Sequence, residues 1–151
     1  MRSLVLVGLE AALVEGPFSI QGEFIRAQTL GSSATEDNVF DGWYVYGSWL
    51  PFGDQRPYRE SEGLFGRVKP RNEHGALELV LRYSRLDLTD GSTRGGIERN
   101  ITCGANWYFG PSVRILSSLG LVSTDGDADG SGSLIGRDEL EVLTMRLELN
   151  I

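Results

Sequence analysis

From Leu77 onward the odd positions Leu77, Leu79, Leu81 and Tyr83 are apolar, while Glu78, Arg82 and Ser84 fall between them. A repeat of two over this length marks a β-strand with one apolar and one polar face. The alternation recurs along the chain. Val5, Val7, Leu9, Ala11 and Leu13 mark a strand over 4–14, and Phe18, Ile20, Gly22 and Phe24 oppose Ser19, Gln21 and Glu23 over 18–28. An aromatic-rich strand follows over 42–52, with Trp43, Tyr44, Tyr46, Trp49 and Phe52, and the Leu77 strand covers 76–89. Three more span 97–108, 112–123 and 138–151. In the first of these Ile101, Cys103, Ala105 and Trp107 oppose Asn100, Thr102, Gly104 and Asn106. In the second, Val113, Ile115, Leu119 and Leu121 oppose Arg114 and Ser118. In the last, Leu143, Met145, Leu147, Leu149 and Ile151 oppose Thr144, Arg146, Glu148 and Asn150. The period slips near Arg85–Leu86, where a bulge is expected.

These seven strands each approach the ~9–11 residues that a tilted membrane strand needs. The pattern predicts an all-β antiparallel meander. Tight turns at 15–17 and 109–111 alternate with longer polar loops at 30–40, 90–96 and 124–136, an asymmetry that resembles the two ends of a transmembrane barrel. The connection 53–75 breaks the alternation, because it is long yet falls on the short-turn side. Loops of this length are usually functional or flexible. Trp and Tyr gather where an apolar slab meets water, which suits the aromatic load of 42–52.

Composition narrows the classes. One domain is the default for 151 residues. No 18-residue apolar run exists, so spanning helices are excluded, whereas a strand-built barrel is not. The formal net charge of -7, from 21 acids and 14 bases, argues against a nucleic-acid partner. Lys69 is the single lysine and the remaining bases are arginine, the better bidentate partner for phosphate oxygens. The lone Cys103 allows no intramolecular disulfide and no cysteine zinc cluster. Residues 1–9 carry a charged, apolar start, but Glu10 interrupts it and no small-x-small site follows. The alternation favours a strand there.

Several motifs share a resemblance. Arg56-Pro57-Tyr58, Gly63-Leu64-Phe65-Gly66-Arg67-Val68-Lys69-Pro70, Gly75-Ala76-Leu77-Glu78-Leu79 and Arg82-Tyr83-Ser84-Arg85-Leu86-Asp87-Leu88 resemble the phosphate- and polyphosphate-selective outer-membrane porin family. Leu9-Glu10-Ala11-Ala12, Gly16-Pro17-Phe18-Ser19 and Gly104-Ala105-Asn106-Trp107-Tyr108 extend it over nearly the whole chain, in family order. The resemblance is to the C-terminal part of the barrel, so residues 1–151 are expected to form that portion of a barrel of about sixteen strands. It implies a bacterial outer-membrane location, lipid around the apolar face, and passive diffusion of small anions such as phosphate or polyphosphate. It further implies a homotrimer of the full-length protein, with no catalysis, cofactor or metal. An export signal is needed by such a protein, and its absence suggests that an N-terminal part is missing. In the family, a turn on the side of 53–75 can fold into the lumen as a constriction.

The candidate pore-lining residues follow. Arg56, Arg59, Arg67, Lys69 and Arg71 form a basic cluster that either attracts anions or is a solvated loop balanced by Asp54, Glu60, Glu62 and Glu73. Arg82, Arg114 and Arg146 lie on polar strand faces, where rings of arginine select anions. Glu10, Glu23, Glu78 and Glu148 share those faces and are expected to pair with the arginines. Asp125-Gly126-Asp127-Ala128-Asp129-Gly130 resembles the opening of a calcium loop, yet the position that needs Glu is Gly136, and strands rather than helices flank it. A flexible acidic tip is the default. His74 lies beside no nucleophile motif, and no catalytic constellation is visible. Cys103 reads as a small hydrophobe on the apolar face. The competing architecture is a soluble antiparallel β-sandwich or small barrel that binds a ligand or partner. What covers the apolar face decides between them: lipid in a porin, a second sheet in a sandwich.

Overall fold

The computed structural model describes residues 3–30, 37–59, 61, 63–110, 112–125 and 138–149. Among these the strands are β1 (Ser3–Glu15), β2 (Phe18–Leu30), β3 (Asn38–Trp49), β4 (Tyr58–Arg59), β5 (Leu64–Phe65), β6 (Ala76–Asp90), β7 (Thr93–Tyr108), β8 (Val113–Thr124) and β9 (Glu139–Leu149), with no helix. Seven form one antiparallel meander in the order β1-β2-β3-β6-β7-β8-β9. The short strands β4 and β5 pair separately within the long connection.

Three boundaries differ from the sequence pattern. β3 begins at Asn38 and ends at Trp49, so Leu50 and Phe52 lie beyond it. Leu50 N–H instead donates to the Pro17 carbonyl at 3.0 Å. The polar loop at 90–96 is a two-residue turn at Gly91–Ser92, because Asp90 pairs with Thr93 and the strands run on to meet there. Gly91, with φ of 54°, supplies the left-handed residue such a tight hairpin needs. The irregularity lies after Asp87 rather than at Arg85–Leu86: Asp87 pairs with Ile97 and Thr89 with Arg94, so Leu88 faces both Gly95 and Gly96. A Cβ at Gly95 would come within 2.6 Å of the Leu88 carbonyl oxygen, and Gly96 has φ of 78°. Two glycines thus make the bulge possible. The calcium-like residues Gly126 to Gly130, the turn residue Pro111, and Glu60, Glu62, Asn150 and Ile151 lie outside the described residues.

Cross-strand partners share a face, so the register sorts the side chains. One face carries Glu10, Gln21, Tyr44, Tyr46, Glu78, Arg82, Thr102, Asn106, Arg114, Arg146 and Glu148. The other carries Leu13, Ile20, Leu81, Cys103, Leu119 and Leu143 in one cross-strand row. The aromatic residues of β3 divide between them, Trp43 and Trp49 with the leucines and Tyr44 and Tyr46 with the arginines.

No second sheet covers the apolar face among the described residues: Leu143 is 81% exposed and Met145 79%. That is the reverse of a sandwich, where these side chains would form the core. Aromatic pairs flank the band, Phe18 with Trp49 and Trp107 with Phe109 towards the short turns, Trp43 with Tyr83 towards the other end. Past Trp43 the same face turns charged, with Arg26 2.8 Å from Asp41 and Arg85 2.8 Å from Asp87. Apolar centre, aromatic rows and charged margin are the sequence of environments a strand meets on crossing a bilayer.

The buried apolar cluster lies on the opposite, polar face. Leu50 and Val68 of the long connection pack with Ala76 and Tyr108 of the sheet, all nearly solvent-free. The connection therefore folds back over the polar face and brings its own small core with it.

Candidate functional site: the basic segment over the polar face

The segment between β3 and β6 is shaped by its own short-range contacts. β4 and β5 pair Tyr58 with Phe65 and Arg59 with Leu64, and the Tyr58 and Phe65 rings meet edge-on at 5.1 Å. Gly66 N–H closes the loop by donating to the Pro57 carbonyl at 2.6 Å. Asp54, 1% exposed, accepts the Arg71 backbone N–H at 2.9 Å. In the solvated-loop alternative Asp54 is a counter-charge in water; it is buried instead, and ties together the two ends of the segment. Glu73 is exposed, and His74 uses its carbonyl to accept the Trp107 indole N–H at 3.2 Å.

The segment is anchored to the sheet through Arg56. Its Nη1 donates to Tyr46 Oη at 3.0 Å and to Glu78 Oε1 at 2.9 Å. Glu78 is fully buried, and its second oxygen accepts from Asn106 Nδ2 at 3.0 Å and from Tyr108 Oη at 2.6 Å. The guanidinium also lies 5.0 Å from the Phe65 ring centre and 5.8 Å from that of Tyr46, within cation–π range. Burial pushes the pKa of Arg56 down, but the adjacent Glu78 carboxylate and Tyr46 outweigh it and leave the group above its ordinary value. Arg56 therefore keeps its charge, and that charge is largely met by Glu78.

Arg56, Arg59, Arg67, Lys69 and Arg71 surround one cavity of about 620 Å³, together with Val14, Gly16, Gln55, Pro57 and Gly66. No carboxylate lines it among the described residues. The structure thus brings together all five residues of the basic cluster. Arg67 stands apart within it: Nε, Nη1 and Nη2 are all buried and have no hydrogen-bond partner among the described residues. A buried guanidinium without an acceptor is costly and rare, and its planar fork is the geometry that suits an oxyanion.

The three strand arginines lie on the same face as the segment but in different settings. Arg82 donates to Ser84 Oγ at 3.1 Å and stacks over Tyr44 at 4.7 Å. Arg114 and Arg146 both donate to Glu148, at 2.8 and 2.6 Å. The expected pairing of wall carboxylates with arginines holds for Glu148, whereas Glu78 takes its arginine from the segment and Glu10 accepts from Gln21 at 2.6 Å. The cradle of Tyr46, Asn106 and Tyr108 was not singled out in the sequence, although all three fall on the polar alternation with Glu78. Among the described residues no three His, Cys, Asp or Glu side chains converge as a metal site would require.

The sequence matches the family described as phosphate-selective porin O and P over residues 3–151. This chain belongs to that family. It is 31% identical to Porin O of Pseudomonas aeruginosa, over 83% of this chain and 32% of that protein. It is also 32% identical to an uncharacterized protein of Caulobacter vibrioides, over 79% of this chain and 24% of the relative. The chain thus spans about a third or less of the length of these relatives. The all-β meander of seven long strands accords with a section of a porin barrel.

Proposed function

We propose that this chain supplies part of the wall and part of the constriction of an outer-membrane channel through which small anions, phosphate or polyphosphate among them, diffuse passively. The apolar face meets lipid, and the arginine face lines the lumen. The segment 50–75 narrows the lumen and sets a cation-rich cavity in the anions' path. No catalysis, cofactor or nucleic acid enters this reading, and the full-length protein works as a homotrimer. The observation that carries it is Arg67: its three buried nitrogens, in a cavity of cationic residues, have no acceptor among the described residues, and an oxyanion would provide one. Weak, multi-site binding of this kind suits conduction, since an ion must enter and also leave.

The test is ion selectivity of the full-length protein in planar bilayers. Arg67→Glu is expected to lower anion-over-cation permeability and to weaken block of chloride current by added phosphate. Reversal potentials and phosphate block that match the unsubstituted protein would overturn the assignment. Trimer assembly is read by cross-linking in detergent, where a monomer alone would refute that part.

A further inference from the structure

Glu78 is the most completely buried charged side chain described, yet it lies on the face a porin leaves to water. Its surroundings account for this. Asn106 is its register partner on β7, Tyr108 is the next residue on that face, and Tyr46 reaches in from β3. Two neutral groups from the sheet and one cation from the segment converge on the two carboxylate oxygens, and Tyr46 accepts from that same cation. This part of the cradle belongs to the sheet itself, because Asn106 and Tyr108 lie on the strand beside Glu78. Arg56 then completes it, with Phe65 closing over the guanidinium from the segment side.

We propose that Glu78 is a positioning residue for the channel: by clamping Arg56 it holds the whole inward-folded segment, and so the cavity around Arg67, at a fixed place on the wall. Arg56 is on this view a fastening rather than an anion-binding group, because its charge is already met. The clamp is separate from the buried apolar contacts of Leu50 and Val68 with Ala76 and Tyr108. The clamp fixes the middle of the segment directionally, which apolar packing alone does not, while Leu50 N–H on Pro17 and the His74 carbonyl on Trp107 tie its two ends. The inference rests on the channel reading only for its transport consequence, and the docking can be measured without transport.

The experiment is hydrogen exchange, followed by mass spectrometry, on the full-length protein in lipid nanodiscs. Peptides covering 53–71 are compared with peptides from β7 and β8. Glu78→Ala is expected to speed exchange in 53–71 by about ten- to a hundred-fold, the factor that loss of a charge-assisted hydrogen bond carries in an opening equilibrium. Exchange in β7 and β8 stays unchanged. Arg56→Ala is expected to do the same, and the double variant to be no faster than either single one, because both remove one fastening. Glu78→Gln, which keeps shape and one acceptor, falls between; it and Arg56→Ala carry the test if Glu78→Ala does not assemble. Exchange in 53–71 that is unchanged, that rises equally in the strands, or that adds up in the double variant overturns the proposal. In planar bilayers the released segment is expected to give a larger conductance with lower anion preference. Faster exchange with unaltered selectivity would leave the clamp standing and overturn the anion reading instead.

Discussion

Glu148 on β9 lies opposite Arg114 on β8 and accepts its Nη2 at 2.8 Å, through the same oxygen that takes Arg146 at 2.6 Å. One carboxylate therefore serves two cations, and the group keeps a single net positive charge. Arg82 is different. It bonds Ser84 and stacks on Tyr44, with no direct ion pair among the described residues.

This contrast orders the effect of charge reversal. Arg82→Glu removes a cation with no direct ion-pair partner among the described residues, and we expect anion-over-cation permeability to fall about ten-fold; Arg146→Glu, whose charge is partly met, should cost about two- to three-fold. Glu148→Gln should act in the opposite direction and favour anions. Reversal potentials in a salt gradient give all three values, and equal effects at Arg82 and Arg146 would show that local pairing does not shape the field.

Gly75 is expected to be the least replaceable glycine of the segment. Its φ is 90°, and a Cβ there would run into the Tyr108 carbonyl oxygen, with Trp107 Nε1 2.9 Å away. Gly53 has a similar φ of 82° but open space around it. Both substitutions by alanine carry the backbone penalty of about 1–3 kcal/mol, and only Gly75→Ala adds a collision with the β7 backbone. Urea unfolding in lipid should therefore show a larger loss for Gly75→Ala, and equal losses would mean that β7 can move aside.

The strands were legible because alternation of period two is a local signal, present in every five or six residues of β1, β2 and β6 to β9. It failed at β3, where Trp43, Tyr44, Tyr46 and Trp49 are aromatic on both faces, so the pattern could not locate the ends. It also read Gly91 to Gly96 as one loop. Glycines there serve a tight turn and a bulge inside a continuing hairpin, and both features look alike in sequence. The basic cluster was visible as composition. Its division into a fastened Arg56 and an Arg67 with no partner among the described residues was not, because it depends on where a segment of some twenty residues folds back, and Glu78 lies 22 positions from the arginine it holds. No spacing rule encodes that contact.

The two faces should respond oppositely to one charge. Leu119 lies in the cross-strand row with Cys103 and Leu143 on the apolar face, while its neighbour Ser118 faces the arginine side. Leu119→Arg should destabilise the folded protein in bilayers by about 2–4 kcal/mol, whereas Ser118→Arg should change stability little. Unfolding in lipid vesicles measures both, and a tolerated Leu119→Arg would mean that this face meets water.

The 151-residue chain, produced by itself, should not form a closed, stable barrel. The seven-stranded sheet runs from β1 to β9, each of which pairs on one side only. Closure would require these two to pair with each other, and single-chain bacterial barrels close with an even number of strands, at least about eight. An open sheet leaves two rows of backbone N–H and C=O groups that lipid cannot satisfy. Water satisfies the edges but not the face, where side chains such as Leu143, Met145 and Leu13 are more than half exposed. An uncovered apolar band of this kind exceeds what a soluble monomer tolerates, a few hundred Å² or about that order. The expected outcome is association into oligomers or aggregates, seen as large, detergent-sensitive species by light scattering. A monodisperse monomer without detergent, unfolding in one cooperative transition, would show that the apolar face finds cover within the chain, and would return the case to a soluble β-sandwich.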